Sequence, residues 1–174
     1  MPSWSGVFGV DQASVQLTFS SYIVSYGLAQ VVYGPLSDRY GRRQLMLFGL
    51  AVAVVGSVAA ALASSLVTLT MARFVQGVGA AAGMVLGRAM VQDYFSGSDR
   101  ARVMAFIGMA MGICAPLATV IGGQLHVRIG WRANFFLISA LAIILFITTW
   151  RTLPRDQREN VGQTHWLREM LNAY

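Results

Sequence analysis

Few residues in this chain are equipped for chemistry, and they are grouped. Gly34 to Gln44 reads "GPLSDRYGRRQ", with one carboxylate, Asp38, among three guanidinium groups, Arg39, Arg42 and Arg43. A carboxylate among arginines makes strong charge-assisted hydrogen bonds, so this stretch is suited to gripping a charged surface. A second group holds Arg73 and Gln76, with Arg88 fifteen residues beyond Arg73. On a helix that separation is about 22 Å of rise, and the two arginines lie about 60° apart. Gln76, Gly77, Ala80, Gly83, Met84 and Gly87 fall near the same arc; Val75, Val78, Ala82, Val85, Leu86 and Ala89 fall on the opposite, lipid side. A third group is the arc of Thr18, Tyr22, Ser25, Tyr26 and Tyr33, separate from the apolar stripe of Leu17, Val24, Leu28 and Val31. Tyrosines placed so can stack on a flat organic ligand or hydrogen-bond between helices, and both readings stand.

The elements that carry these groups follow from where charge is lacking. The chain is 56% hydrophobic and only 11% charged, against about 25% charged in a soluble domain. No charge lies between Asp11 and Asp38, Arg43 and Arg73, Arg102 and Arg128, or Arg132 and Arg151. A bilayer core of about 30 Å takes about 20 apolar residues as helix, so these runs are expected to cross it. The spacing predicts helices at 16–37, 44–63, 70–93, 103–125 and 132–150. No strand alternation is sustained, and the fold class is all-α membrane protein.

In that setting an arginine facing lipid costs at least about 2.5–3.5 kcal/mol at mid-membrane. Arg73 and Arg88 therefore face a watery cavity or a carboxylate, or snorkel to the nearer surface. Gln76, one turn deeper than Arg73, favours the cavity. Glycines recur at spacing four, Gly79-Gly83-Gly87 and Gly108-Gly112 with Pro116 next, a pattern that lets helices approach closely. Pro116 removes a backbone bond and marks a bend.

Arginine placement sets the expected orientation. Arg39, Arg42, Arg43, Arg100, Arg102, Arg151, Arg155, Arg158 and Arg168 fall on one side, against Arg128 and Arg132 on the other. The positive-inside rule puts the first group in the cytoplasm, and the N-terminus outside. In the tail, Trp166, Met170 and Tyr174 share one helical face, suited to lipid headgroups or to the start of a linker.

Other chemistries are poorly supplied. The net charge of +6 comes from arginines at the ends of apolar runs, not from a solvated basic stripe, so nucleic acid is not expected as a partner. The two histidines, His126 and His165, fall in a loop and in the tail, and Cys114 is the lone cysteine. No span carries paired carboxylates or metal-ligand spacing, so neither an enzyme nor a cofactor is expected.

Three ordered motifs give a resemblance. "GPLSDRYGRR" resembles the loop signature between the second and third helices of the major facilitator superfamily. "RFVQGVGAAAG" resembles its fourth-helix motif, and "GICAPLATVIGGQL" the fifth-helix motif of its drug:proton antiporters, with Thr119-Val120 where a second proline is usual. "RAMVQDYF" and "GWRANFFL" are similar to the Bcr/CflA, bicyclomycin and chloramphenicol resistance type. The resemblance covers roughly residues 8–154. It implies that the five spans are helices two to six of twelve. Residues 1–15 would be an extracytoplasmic remnant of the first helix ("WSGVFGV"), 16–151 an incomplete N-terminal bundle, and 152–174 a cytoplasmic tail opening the central linker. The missing C-terminal half would be its natural packing partner.

The resemblance also implies roles. Gly34, Asp38, Arg39, Gly41, Arg42, Arg43 and Arg88 would form a conformational latch at the cytoplasmic face. Arg73, Gln76 and Gly77 would serve proton coupling. Gly112, Pro116, Gly122 and Gly123 would form the antiporter motif. Tyr22, Ser25 and Tyr26 are candidate substrate contacts. The function implied is proton-driven efflux of small drug-like molecules across the inner membrane by alternating access, with the proton gradient as energy source. Asp38 and Asp93, the only acidic residues in these spans, both lie near the cytoplasmic face, so the proton carrier is expected elsewhere. The competing reading is a non-transporting remnant or scaffold that packs with partner helices.

Overall fold

The structure, a computed structural model, describes residues 11–153. The tail face of Trp166, Met170 and Tyr174 and the segment "WSGVFGV" lie outside the described residues. Among the described residues five helices follow one another: α1 Gln12–Tyr40, α2 Arg42–Leu62, α3 Leu66–Tyr94, α4 Gly97–Arg128 and α5 Trp131–Thr152. At 1.5 Å per residue they are about 32–48 Å long, enough to cross the hydrocarbon and project beyond it. Helices α2 to α5 are apolar enough to cross a membrane as they stand. Helix α1 dilutes its apolar residues with Thr18, Ser20, Ser21, Ser25 and Gln30, and those of them that are buried, Thr18 and Ser25, face α3. It runs parallel to α3 over most of its length, from Thr18 beside Thr70, through Ser25 beside Gly77, to Tyr33 beside Ala81 and Leu86.

The connections are shorter than expected. Charged residues suggest loops because hydrocarbon excludes them, yet the helices continue through them on leaving the apolar layer. Asp38 and Arg39 belong to the last turn of α1, and Arg42 and Arg43 to the first turn of α2. Gly41 alone makes the turn, at φ +91°, a conformation that favours glycine. Residues 12–15, read as part of the N-terminal segment, are helical. Ser65 starts α3 with a reciprocal cap: its hydroxyl accepts from the Thr68 amide, and the Thr68 hydroxyl accepts from the Ser65 amide.

Helix α3 is the central rod, packed between α1 and α2, while α5 lies along α2. Two apolar clusters hold the bundle. One joins Ala29 and Tyr33, Leu45 and Met46, and Ala81, Ala82 and Leu86; the other joins Ala60, Ala61 and Ala63, Leu69 and Ala72, and Phe135. Ala82 and Leu86 are thus core residues of α3, not lipid-facing ones.

The glycines that permit this packing match the expected series only at Gly79, with Gly56 and Gly77 outside it. A Cβ on Gly56 would meet the Gln76 backbone nitrogen at 2.5 Å, and one on Gly79 would meet the Gly49 carbonyl at 2.6 Å. One on Gly77 would meet the Tyr22 carbonyl at 2.6 Å. Around Gly83, Gly87, Gly108 and Gly112 nothing lies within 4 Å of such an atom. Spacing places small residues on one arc, but the partner helix decides which of them are pressed. Helix α4, bearing Gly112, Pro116, Gly122 and Gly123, carries no charge between Arg102 and Arg128 and has no buried residue.

Candidate functional site

The first polar cluster forms where α1 turns into α2. Two arginines in the first turn of a helix oppose its dipole, so they need anions or a way out. Arg42 has the anions. Its Nη2 lies 3.0 Å from the Asp38 carboxylate, and its Nε donates to Asp93 of α3 at 2.9 Å. Its Nη1 donates to the Ser37 hydroxyl, which in turn donates to the Gly34 carbonyl at 2.7 Å. Arg43 leaves the turn and donates to the Trp150 carbonyl of α5 and to that of Leu153, which caps it, both at 2.9 Å; this is the helix end that welcomes a cation. Arg39 lies over the Tyr40 ring, 5.7 Å from its centre.

Arg88 does not join this cluster. It lies exposed on α3, and Asp93, five residues further on, occupies the cross-helix position. Sequence reasoning placed Asp93 near this face but gave it no partner. Its only signal was a carboxylate ending an apolar run at the arginine-rich end.

The second cluster lies between the two apolar layers of the core. Arg73 Nη1 donates to Gln76 Oε1 at 2.6 Å, and Gln76 Nε2 donates to the Ser57 hydroxyl at 2.8 Å. Ser57 passes its own proton back to the Ala53 carbonyl at 2.7 Å. Gln76 and Ser57 are buried, and each satisfies the other, as an apolar surround requires. The Arg73 guanidinium lies 4.2 Å from the Tyr22 ring centre and 5.6 Å from that of Phe135. Tyr22 and Tyr26 stack at 6.0 Å with 19° between their planes. Gly77 presses on α1 at Ser25 and Tyr22, so it sets how near Tyr22 comes to Arg73. Arg73, Gln76, Gly77, Tyr22, Ser25 and Tyr26 therefore form one constellation. Ser57 and Phe135 were not singled out from the sequence. A lone serine in the apolar stretch of α2 beyond Gln44 was the available signal for the first.

The α1 arc divides its work. Thr18 bonds Thr70 at 3.0 Å and Ser21 donates to the Thr70 carbonyl at 3.3 Å, joining helices, while Tyr22 meets a cation. Gly112, Pro116, Gly122 and Gly123 remain apart from both clusters. Gly122 borders a cavity of about 540 Å³ between α4 and α5, lined also by Cys114, Leu117 and Asn134.

A bundle of membrane-length helices, pinned by charge at one end and carrying a guanidinium in its interior, defines a multi-pass membrane protein with a polar seam. The chain belongs to the Major Facilitator Superfamily, whose profile matches residues 1–169. It is 33% identical over 99% of its length to an uncharacterized transporter of Rickettsia bellii. It is 30% identical over 98% to a chloramphenicol resistance protein of Pseudomonas aeruginosa, and 29% over 91% to the multidrug resistance protein D of Escherichia coli. The chain spans 43%, 41% and 40% of those proteins, respectively.

Proposed function

We propose that this chain is the N-terminal part of a proton-driven exporter of small drug-like molecules that works by alternating access across the inner membrane. The observation that carries the reading is Arg73. It lies inside a helix bundle, is held by neutral partners, and makes no ion pair among the described residues. A charge kept at depth is costly and is retained for function. Arg73 with Gln76 and Gly77 serves proton coupling. Because the acidic groups described along α1 to α3 lie at the helix ends, the proton carrier belongs to another part of a longer chain, which also packs on the unburied face of α4. Asp38, Arg42 and Asp93 form a latch that holds one end of the bundle closed and opens as the halves rock. The nine-to-two arginine bias supports a cytoplasmic latch and C-terminal tail with the N-terminus outside. A reporter fused after Arg43 tests this, and a periplasmic reading overturns it.

The functional test is Arg73→Ala in the full-length transporter. Drug resistance conferred on a susceptible host is expected to vanish while the protein still reaches the membrane in normal amount. Undiminished resistance removes Arg73 from the mechanism.

A further inference from the structure

The surroundings of Arg73 restrict what can bind beside it. A guanidinium carries five N–H donors. Here one protein acceptor is met among the described residues, Gln76 Oε1. Two rings from different helices adjoin the group, Tyr22 of α1 and Phe135 of α5, and Tyr26 extends the first by one stacked ring. No described carboxylate shares this layer. Asp38 and Asp93 pair with Arg42 at the far end of the bundle, Asp99 lies in the first turn of α4, and Asp11 precedes α1. Tyr22 is eleven residues past Asp11, about 16 Å along the helix. Toward the latch, the arc of α3 next to Arg73 continues as Ala80, Gly83, Met84 and Gly87. Gly83 and Gly87 have open space where a Cβ would stand. A flat molecule travelling along this seam thus meets small residues, then aromatic faces, then unused N–H groups.

We propose that Arg73, Tyr22 and Phe135 form a slot that selects uncharged or anionic aromatic molecules bearing an acceptor oxygen and turns away organic cations. The proposal rests on the export reading and names the substrate class of that same site. Three effects act together. Acceptor oxygens gain charge-assisted hydrogen bonds from the unused N–H groups. A substrate ring gains stacking on Tyr22 and Tyr26. A cation meets a like charge that no described carboxylate cancels, in a medium far less screening than water, which weakens binding about tenfold or more. Tyr22 is the specificity-determining partner, because Gly77 fixes its distance from the guanidinium.

The test is equilibrium binding to the purified full-length transporter, with chloramphenicol as the uncharged acceptor-bearing probe and tetraphenylphosphonium as the cation. Wild type is expected to prefer chloramphenicol by about tenfold or more. Arg73→Gln should bring the two affinities within about threefold, with the cation gaining, and Tyr22→Leu should weaken chloramphenicol alone. Equal or tighter binding of the phosphonium by wild type overturns the slot, as does a preference that survives Arg73→Gln. A transporter that exports both probes without preference keeps the export reading and loses the slot. One that shows the binding preference but exports neither keeps the slot and loses the export reading.

Discussion

Arg42 Nε lies 2.9 Å from the Asp93 carboxylate, joining the first turn of α2 to the last turn of α3 across 51 residues of sequence. The same guanidinium holds Asp38, so one side chain ties three helix ends together. Both carboxylates are substantially exposed, at 67% for Asp38 and 48% for Asp93. Such pairs are worth about 0.2–1 kcal/mol each, weak enough to break in each cycle of the proposed transport.

Asp93→Asn is therefore expected to slow transport about 1.4- to fivefold, the rate equivalent of that pair energy, and Asp38→Asn to do the same. Equilibrium drug affinity should stay near the wild-type value in both. Weakened drug affinity with the maximal transport rate preserved at saturating drug would show that these carboxylates serve the binding site and not the latch.

Glycine substitutions should separate pressed positions from open ones. Gly79→Ala drives a methyl into the α2 backbone at Gly49 and Ala53 and is expected to cost about 1–3 kcal/mol. Gly83→Ala meets nothing and, by helix propensity, should be neutral or stabilising by up to about 1 kcal/mol. Thermal unfolding of the purified protein measures both. Equal destabilisation would mean that α3 does not sit on α2 as described.

Much of this arrangement was legible in the sequence because hydrocarbon is an unforgiving solvent. Charge-free runs located all five helices, and the buried Gln76 beside Arg73 was visible as a polar residue where lipid would reject one. Helix ends were not legible. Asp38, Arg42, Asp99 and Arg128 look like loop residues but sit in helical turns that project beyond the apolar layer. Partner choice was not legible either. Arc arithmetic put Ala82 and Leu86 on a lipid side opposite Arg73, whereas both are buried in the core, because the arc alone does not say which neighbouring helix covers it. Asp93 replaced Arg88 in the charged cluster for the same reason: a contact across 51 residues depends on how two helices cross.

Everted membrane vesicles carrying the full-length transporter test the central claim most directly. Once respiration acidifies their interior, chloramphenicol should accumulate inside, and a protonophore should abolish that accumulation within the time the gradient takes to collapse. Accumulation that persists after the gradient is gone would contradict proton-driven export.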